Sequence, residues 1–162
     1  MLRKLLLAGI LVLVPWAAHA ASGSAVTSGG FRFGVSLSPN QFAFGGQLAI
    51  REFAPDWSFH PSLELGVGDN QTVIQPNFDA YYRLHLQGTT WQPYVGAGIG
   101  LAFISEDRPF PEARHDETDV GLNAVFGFDV PTTSGSQWFT ELRLGLGDIP
   151  NLKIMGGFNF RM

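Results

Sequence analysis

The chain has 162 residues, 45% of them hydrophobic and 13% aromatic, with 20 glycines and no cysteine. That is enough for one domain and too little for two ordinary ones. Without thiols there is no disulfide framework and no lipid-bearing cysteine of the bacterial lipoprotein kind. Ten basic residues against 14 acidic ones argue against a nucleic-acid partner, which wants a basic face.

Residues 1–20 read as a signal peptide. Arg3 and Lys4 form a positive flank, Leu5 to Val14 an apolar core, and Ala18-His19-Ala20 a small-x-small cleavage signal. An apolar run of about ten residues is half of what a spanning helix needs. Residues 21–30, rich in Ser and Gly, read as a flexible leader, which leaves residues 31–162 as the folded domain.

From Phe31 the chain alternates with the period of two that puts successive strand side chains on opposite faces. Phe31, Phe33, Val35 and Leu37 oppose Arg32, Gly34 and Ser36; after a turn at Ser38-Pro39-Asn40, Phe42, Phe44, Gly46, Leu48 and Ile50 oppose Gln41, Gly45, Gln47 and Arg51. A second turn at 52–56 leads to Trp57, Phe59, Pro61, Leu63, Leu65 and Val67 against Ser58, His60, Ser62, Glu64 and Gly66. Beyond Gly68 to Gln71, Ile74, Phe78, Tyr82, Leu84 and Leu86 oppose Gln75, Asn77, Asp79, Tyr81, Arg83 and His85, with a turn expected at Gln87 to Thr90.

The cleanest alternation is Trp91 to Ile104, WQPYVGAGIGLAFI: Val95, Ile99, Leu101 and Phe103 on one face, Gly96, Gly98 and Gly100 on the other. The glycines are expected to make room for bulky side chains of the preceding strand, such as Tyr81, Arg83 and His85. Ser105 to Glu117, with two prolines and mixed charge, reads as the one long loop. Val120 to Val130, Trp138 to Leu146 and Leu152 to Met162 repeat the pattern, separated by turns at 131–136 and 148–151.

Eight strands of roughly ten residues match the smallest membrane barrels. The apolar faces contain no charged residue. The other faces carry Arg32, Arg51, Glu64, Asp79, Arg83, Asp119, Asp129, Glu141, Arg143, Lys153 and Arg161. A soluble antiparallel sheet shows the reverse, charge toward water and grease toward a core. The expected fold is all-β: an eight-stranded antiparallel up-and-down transmembrane β-barrel, with Trp57, Trp91, Trp138, Tyr82 and Phe160 as an aromatic girdle. In such a barrel the lumen is just wide enough for side chains to fill. Glu64, Asp79, Asp119, Asp129 and Glu141 are therefore expected to pair with Arg32, Arg51, Arg83, Arg143 and Lys153, because a buried unpaired charge is prohibitive. A narrow polar conduit is the functional alternative.

The runs WQPYVGAGIGLAF, FHPSLELGVGD and ELRLGLGDIPNLKIMGGFNFRM resemble the small bacterial outer-membrane β-barrel proteins, the broad group that includes the barrel domain of outer membrane protein A. The resemblance covers the whole mature chain. It implies a bacterial outer-membrane location after export, contact with outer-membrane lipid and lipopolysaccharide, a structural or cell-surface role without catalysis or cofactor, and a monomer. It also implies that Ile154, Phe158 and Phe160 form the C-terminal signal read by the barrel-assembly machinery, with Met162 where a terminal Phe is usual.

No catalytic, cofactor-binding or metal residue is assigned. His60, Ser62 and Glu64 share a face, but at i, i+2 and i+4 their ends lie about 13 Å apart, too far for a hydrogen-bonded triad. The outer-membrane lipid A deacylases, similar in layout, carry a His-x-Ser-Asn motif on the penultimate strand; here Leu144 to Asp148 holds neither His nor Ser. His115-Asp116-Glu117 reads as a solvated charged run. The glycines of GAGIG lack the following helix a nucleotide loop needs. Transport of small apolar molecules across the outer membrane is the alternative function; a soluble ligand-binding barrel would need an apolar lumen.

Overall fold

The computed structural model describes residues 26–68, 70–106 and 115–162. The expected signal peptide, residues 21–25 of the expected leader and residues 107–114 of the expected long loop lie outside the described residues. Among the described residues eight strands form one closed antiparallel barrel in which each strand pairs with its chain neighbours and the last with the first. They are β1 (Val26–Ser38), β2 (Asn40–Ala54), β3 (Trp57–Gly68), β4 (Gln71–Arg83), β5 (Gln92–Glu106), β6 (His115–Pro131), β7 (Gln137–Gly147) and β8 (Leu152–Arg161). Closure leaves no unpaired strand edge, the condition a sheet must meet in lipid.

The alternation of the sequence is the alternation of the wall. Val120 is 62% exposed and Leu146 60%, while their neighbours Gly121 and Asn123 on β6 and Arg143 on β7 face inward and are buried. The outer surface is a continuous apolar belt that includes Phe31, Phe33, Phe42, Phe78, Ile99, Leu122, Phe126, Ile154 and Phe158.

Strand ends depart from the sequence reading in three places. β1 begins at Val26, so Val26 to Gly30 are wall: Gly29 and Gly30 pair with Leu48 and Gln47 on one side and with Phe160 and Asn159 on the other. β5 and β6 extend into the expected loop, pairing Ile104 with Glu117, Ser105 with Asp116 and Glu106 with His115. β4 stops at Arg83, and residues 84–91 form a connection, longer than the expected turn at 87–90, that carries the exposed Leu84 and Leu86. His85 therefore lies outside the lumen; its ring Nδ1 is 3.6 Å from Asp56 Oδ1, both side chains at the rim.

The aromatic residues expected to form the girdle gather at one end, while Phe42 and Phe103 face outward near the other. Trp57 packs on Tyr82 with ring centroids 5.3 Å apart, and Phe128 lies between Trp91 and Trp138, 5.7 Å from each. All of them, and Phe160, lie at the end of the barrel that also holds the start of β1 and the end of β8. At the other end β1 runs into β2, β3 into β4, β5 into β6 and β7 into β8.

Candidate functional site

The middle of the lumen is a closed electrostatic cluster of three cations and three carboxylates. Its register comes from the strands: β3 supplies Glu64, β4 Asp79, β7 Glu141 and Arg143, β8 Lys153 and β1 Arg32. Lys153 Nζ lies 2.7 Å from Glu64 Oε2. Arg32 pairs with Glu141 and sits with Nε 3.2 Å from Glu64 Oε1, an ion pair without linear hydrogen-bond geometry. Arg143 pairs with Asp79 and donates from Nη1 to Glu141 Oε1 at 3.1 Å. All six side chains are buried. Charges withdrawn from water are tolerable only with such compensation, and here the formal charges cancel.

Neutral groups complete the bonding. Glu141 Oε2 accepts from the Tyr81 and Tyr94 hydroxyls at 3.2 and 3.1 Å. Lys153 donates to Gln75 Oε1 at 2.6 Å, Gln75 to Asn77 at 2.8 Å, and Asn123 to Asn77 and Asp79 at 2.9 and 3.2 Å. On the other wall Arg32 donates to Gln47, and Gln47 to Asn159. The Arg32 guanidinium also lies 5.8 Å from the centre of the Phe139 ring.

Glycine makes this density possible on β5. A Cβ on Gly96 would stand 2.5 Å from Tyr81 Cδ1, one on Gly98 would strike Asp79, and one on Gly100 would come within 2.9 Å of Asn77 Oδ1 and Gln75 Nε2. The expected partners were Tyr81, Arg83 and His85. Tyr81 is such a partner, opposite Gly96, but the register puts Asp79 opposite Gly98 and Asn77 opposite Gly100, while Arg83 faces Tyr94.

Of the expected ion-pair residues, Glu64, Asp79, Glu141, Arg32, Arg143 and Lys153 come together. Arg83 and Asp129 line the recess at the girdled end, and Asp119 lines the opposite mouth, so these three are outside the central cluster. The side chains of Arg51, His115 and Asp116 lie outside the description. His60, Ser62 and Glu64 are engaged separately: His60 Nε2 meets Ser58 Oγ at 2.9 Å, Ser62 accepts from Asn77 at 3.4 Å, and Glu64 holds Lys153.

At the end opposite the girdle the connection 148–151 folds inward. Ile149 is buried against Val73 and Ala102, with Ile104 beside them. Gly147 adopts φ 99°, a conformation easy only for glycine, and Asn151 is pinned by its N–H to Ser38 O at 2.9 Å and by its carbonyl to Gly145 N–H at 2.8 Å. The alternation rule says nothing about a turn residue, so Ile149 had no signal beyond being an apolar side chain in a turn.

No protein-family model and no curated protein matches the chain in sequence. Solved structures do match in fold. The N-terminal β-barrel domain of Pseudomonas aeruginosa OprF superposes with a TM-score of 0.68 at 17% identity, over 85% of this chain and 98% of that one. Neisserial surface protein A superposes with a TM-score of 0.62 at 17% identity, over 87% and 98%. Both are outer-membrane barrels. The chain thus has the fold of the small eight-stranded outer-membrane barrels.

Proposed function

We propose that the protein is an integral outer-membrane barrel of a Gram-negative bacterium, exported by its N-terminal segment, non-catalytic, and structural or surface-exposed in role. The observation that carries this reading is the pairing of an unbroken apolar outer belt with a neutralised charged core. Such an outside is stable only against lipid, and such an inside only when closed. With an even strand number the two chain ends face the periplasm, so the Trp-bearing rim is periplasmic and the inward-folded connection 148–151 faces outward. Lipid and lipopolysaccharide are the partners of the belt, and the barrel-assembly machinery is the partner of β8, whose outward Ile154, Phe158 and Phe160 are exposed.

Passage of small apolar molecules is opposed by the same cluster, because an apolar solute offers nothing to replace the ion pairs it would part. The test is fractionation with electrophoresis: the protein is expected in the outer-membrane fraction, with an apparent size that changes on boiling. Recovery in the soluble fraction with no heat shift would overturn the reading.

A further inference from the structure

The connection between β7 and β8 crosses the lumen instead of lying along the rim. The Asn151 N–H donates to Ser38 O on β1, whereas Ile149 packs on Val73 of β4 and Ala102 of β5. In a ring of eight strands β1 and β5 stand opposite each other. Residues 148–151 therefore bridge the mouth from one wall to the other. The wall is shaped to receive them. A Cβ on Gly121 of β6 would stand 2.6 Å from Ile149 Cγ1, and one on Gly145 of β7 would strike the Pro150 carbonyl oxygen. Gly147, with φ 99°, directs the chain inward, and the ring of Pro150 fixes its own φ.

What the connection places in the lumen is apolar. Ile149, Val73 and Ala102 are all buried, with Ile104 packed beside them. An apolar constriction excludes water and ions by dewetting and needs no charge to do so. On its outer side the mouth opens as a recess of about 500 Å³, lined by all of Gly147 to Asn151 and by the polar Ser38, Gln71 and Asp119. On its inner side comes Ser36, 2% exposed and paired in register with Lys153, and then the ion-pair cluster.

We propose that the connection 148–151 is a built-in stopper, with Ile149 as its seal, that closes this mouth independently of the ion pairs. The lumen then has two closures of different chemistry in series, and loss of the charged one leaves the apolar one shut. The inference rests on the packing of the mouth and not on the cellular role proposed above.

The chain has no cysteine, so single cysteines report access without background. The probe is a small charged methanethiosulfonate, applied to the detergent-folded protein. Ser38→Cys, exposed at the mouth, is expected to react readily, and Ser36→Cys at least about tenfold more slowly, because a buried thiol waits on local opening. Adding Ile149→Gly is expected to remove most of that difference, while Ser58→Cys, in the recess at the girdled end, keeps its rate. Retention of the gel heat shift establishes folding of each variant; Ile149→Ala, the milder truncation, decides if Ile149→Gly does not fold. Equal rates at Ser36→Cys and Ser38→Cys with Ile149 in place would overturn the proposal. So would continued protection of Ser36→Cys in the folded Ile149 variant, or a matching rise at Ser58→Cys, which would mean general loosening of the barrel.

Discussion

Lys153 on β8 holds Glu64 on β3 across the lumen, Nζ to Oε2 at 2.7 Å, although 89 positions separate them in the chain. The pair joins strands three apart around the ring. It therefore depends on closure, since only a closed barrel brings the first and last strands together. Glu64 also meets Arg32, and Arg32 also meets Glu141, so the cluster has redundancy that an isolated pair lacks.

Glu64→Leu leaves Lys153 buried without its carboxylate and is expected to cost about 3–5 kcal/mol, the usual result of breaking a buried pair from one side. Glu64→Leu with Lys153→Met removes one charge of each sign, while Arg32 keeps Glu141 and Arg143 keeps Asp79. The double variant is expected to be more stable than Glu64→Leu alone. Urea unfolding in lipid vesicles, read as a double-mutant cycle, measures the difference.

The outer belt predicts a depth profile. Leu142 lies at the centre of β7 and Leu146 near its end, both facing out. Leu142→Arg should cost about 2–4 kcal/mol and Leu146→Arg about 0–1 kcal/mol, because the penalty for a lipid-facing cation falls from the bilayer midplane to the interface. Equal penalties at the two positions, by the same unfolding assay, would contradict the belt.

Gly96→Val places a branched side chain against Tyr81 and the Ala80 carbonyl, 2.5 and 3.0 Å from the new Cβ. It is expected to destabilise by about 1–3 kcal/mol, the ordinary cost of overpacking. Gly46→Ala has only the Gly30 carbonyl within reach, at 3.6 Å, and should lie within about 0.5 kcal/mol of wild type. Thermal or urea midpoints of the two variants separate a crowded lumen from a merely glycine-rich strand.

Trp57, Trp91 and Trp138 all lie on one rim. In vesicles of lipids brominated at defined depths, the barrel of residues 21–162 should show one shallow quenching depth for all three. Two populations of depth would mean that the girdle spans both interfaces.

The wall was legible in the sequence because strand alternation and turn residues are local signals. Phe31 to Leu37 against Arg32 to Ser36 is enough to fix the faces of β1. Which charges meet was not legible, because pairing depends on register across strands far apart in the chain: Asp79 and Asp129 look alike in sequence, yet one meets Arg143 in the cluster and the other lines the recess. His85 was misplaced because Leu84 and Leu86 continue the alternation after the strand has ended. The extensions of β5 and β6 to Glu106 and His115 carry no apolar face, so hydropathy cannot see them. Ile149 turns inward from a connection, where no periodicity operates. Val26 to Gly30 have the composition of a leader and become strand because β2 pairs with them from Val26 and β8 from Ser28.

The central claim is that ion pairing among Arg32, Arg143, Lys153, Glu64, Asp79 and Glu141 closes the lumen. Ion conductance of the purified protein in planar lipid bilayers tests it most directly. No current steps above the bare membrane are expected from the wild type. Steady, reproducible conductance from the folded, heat-shifting protein would contradict the closed lumen.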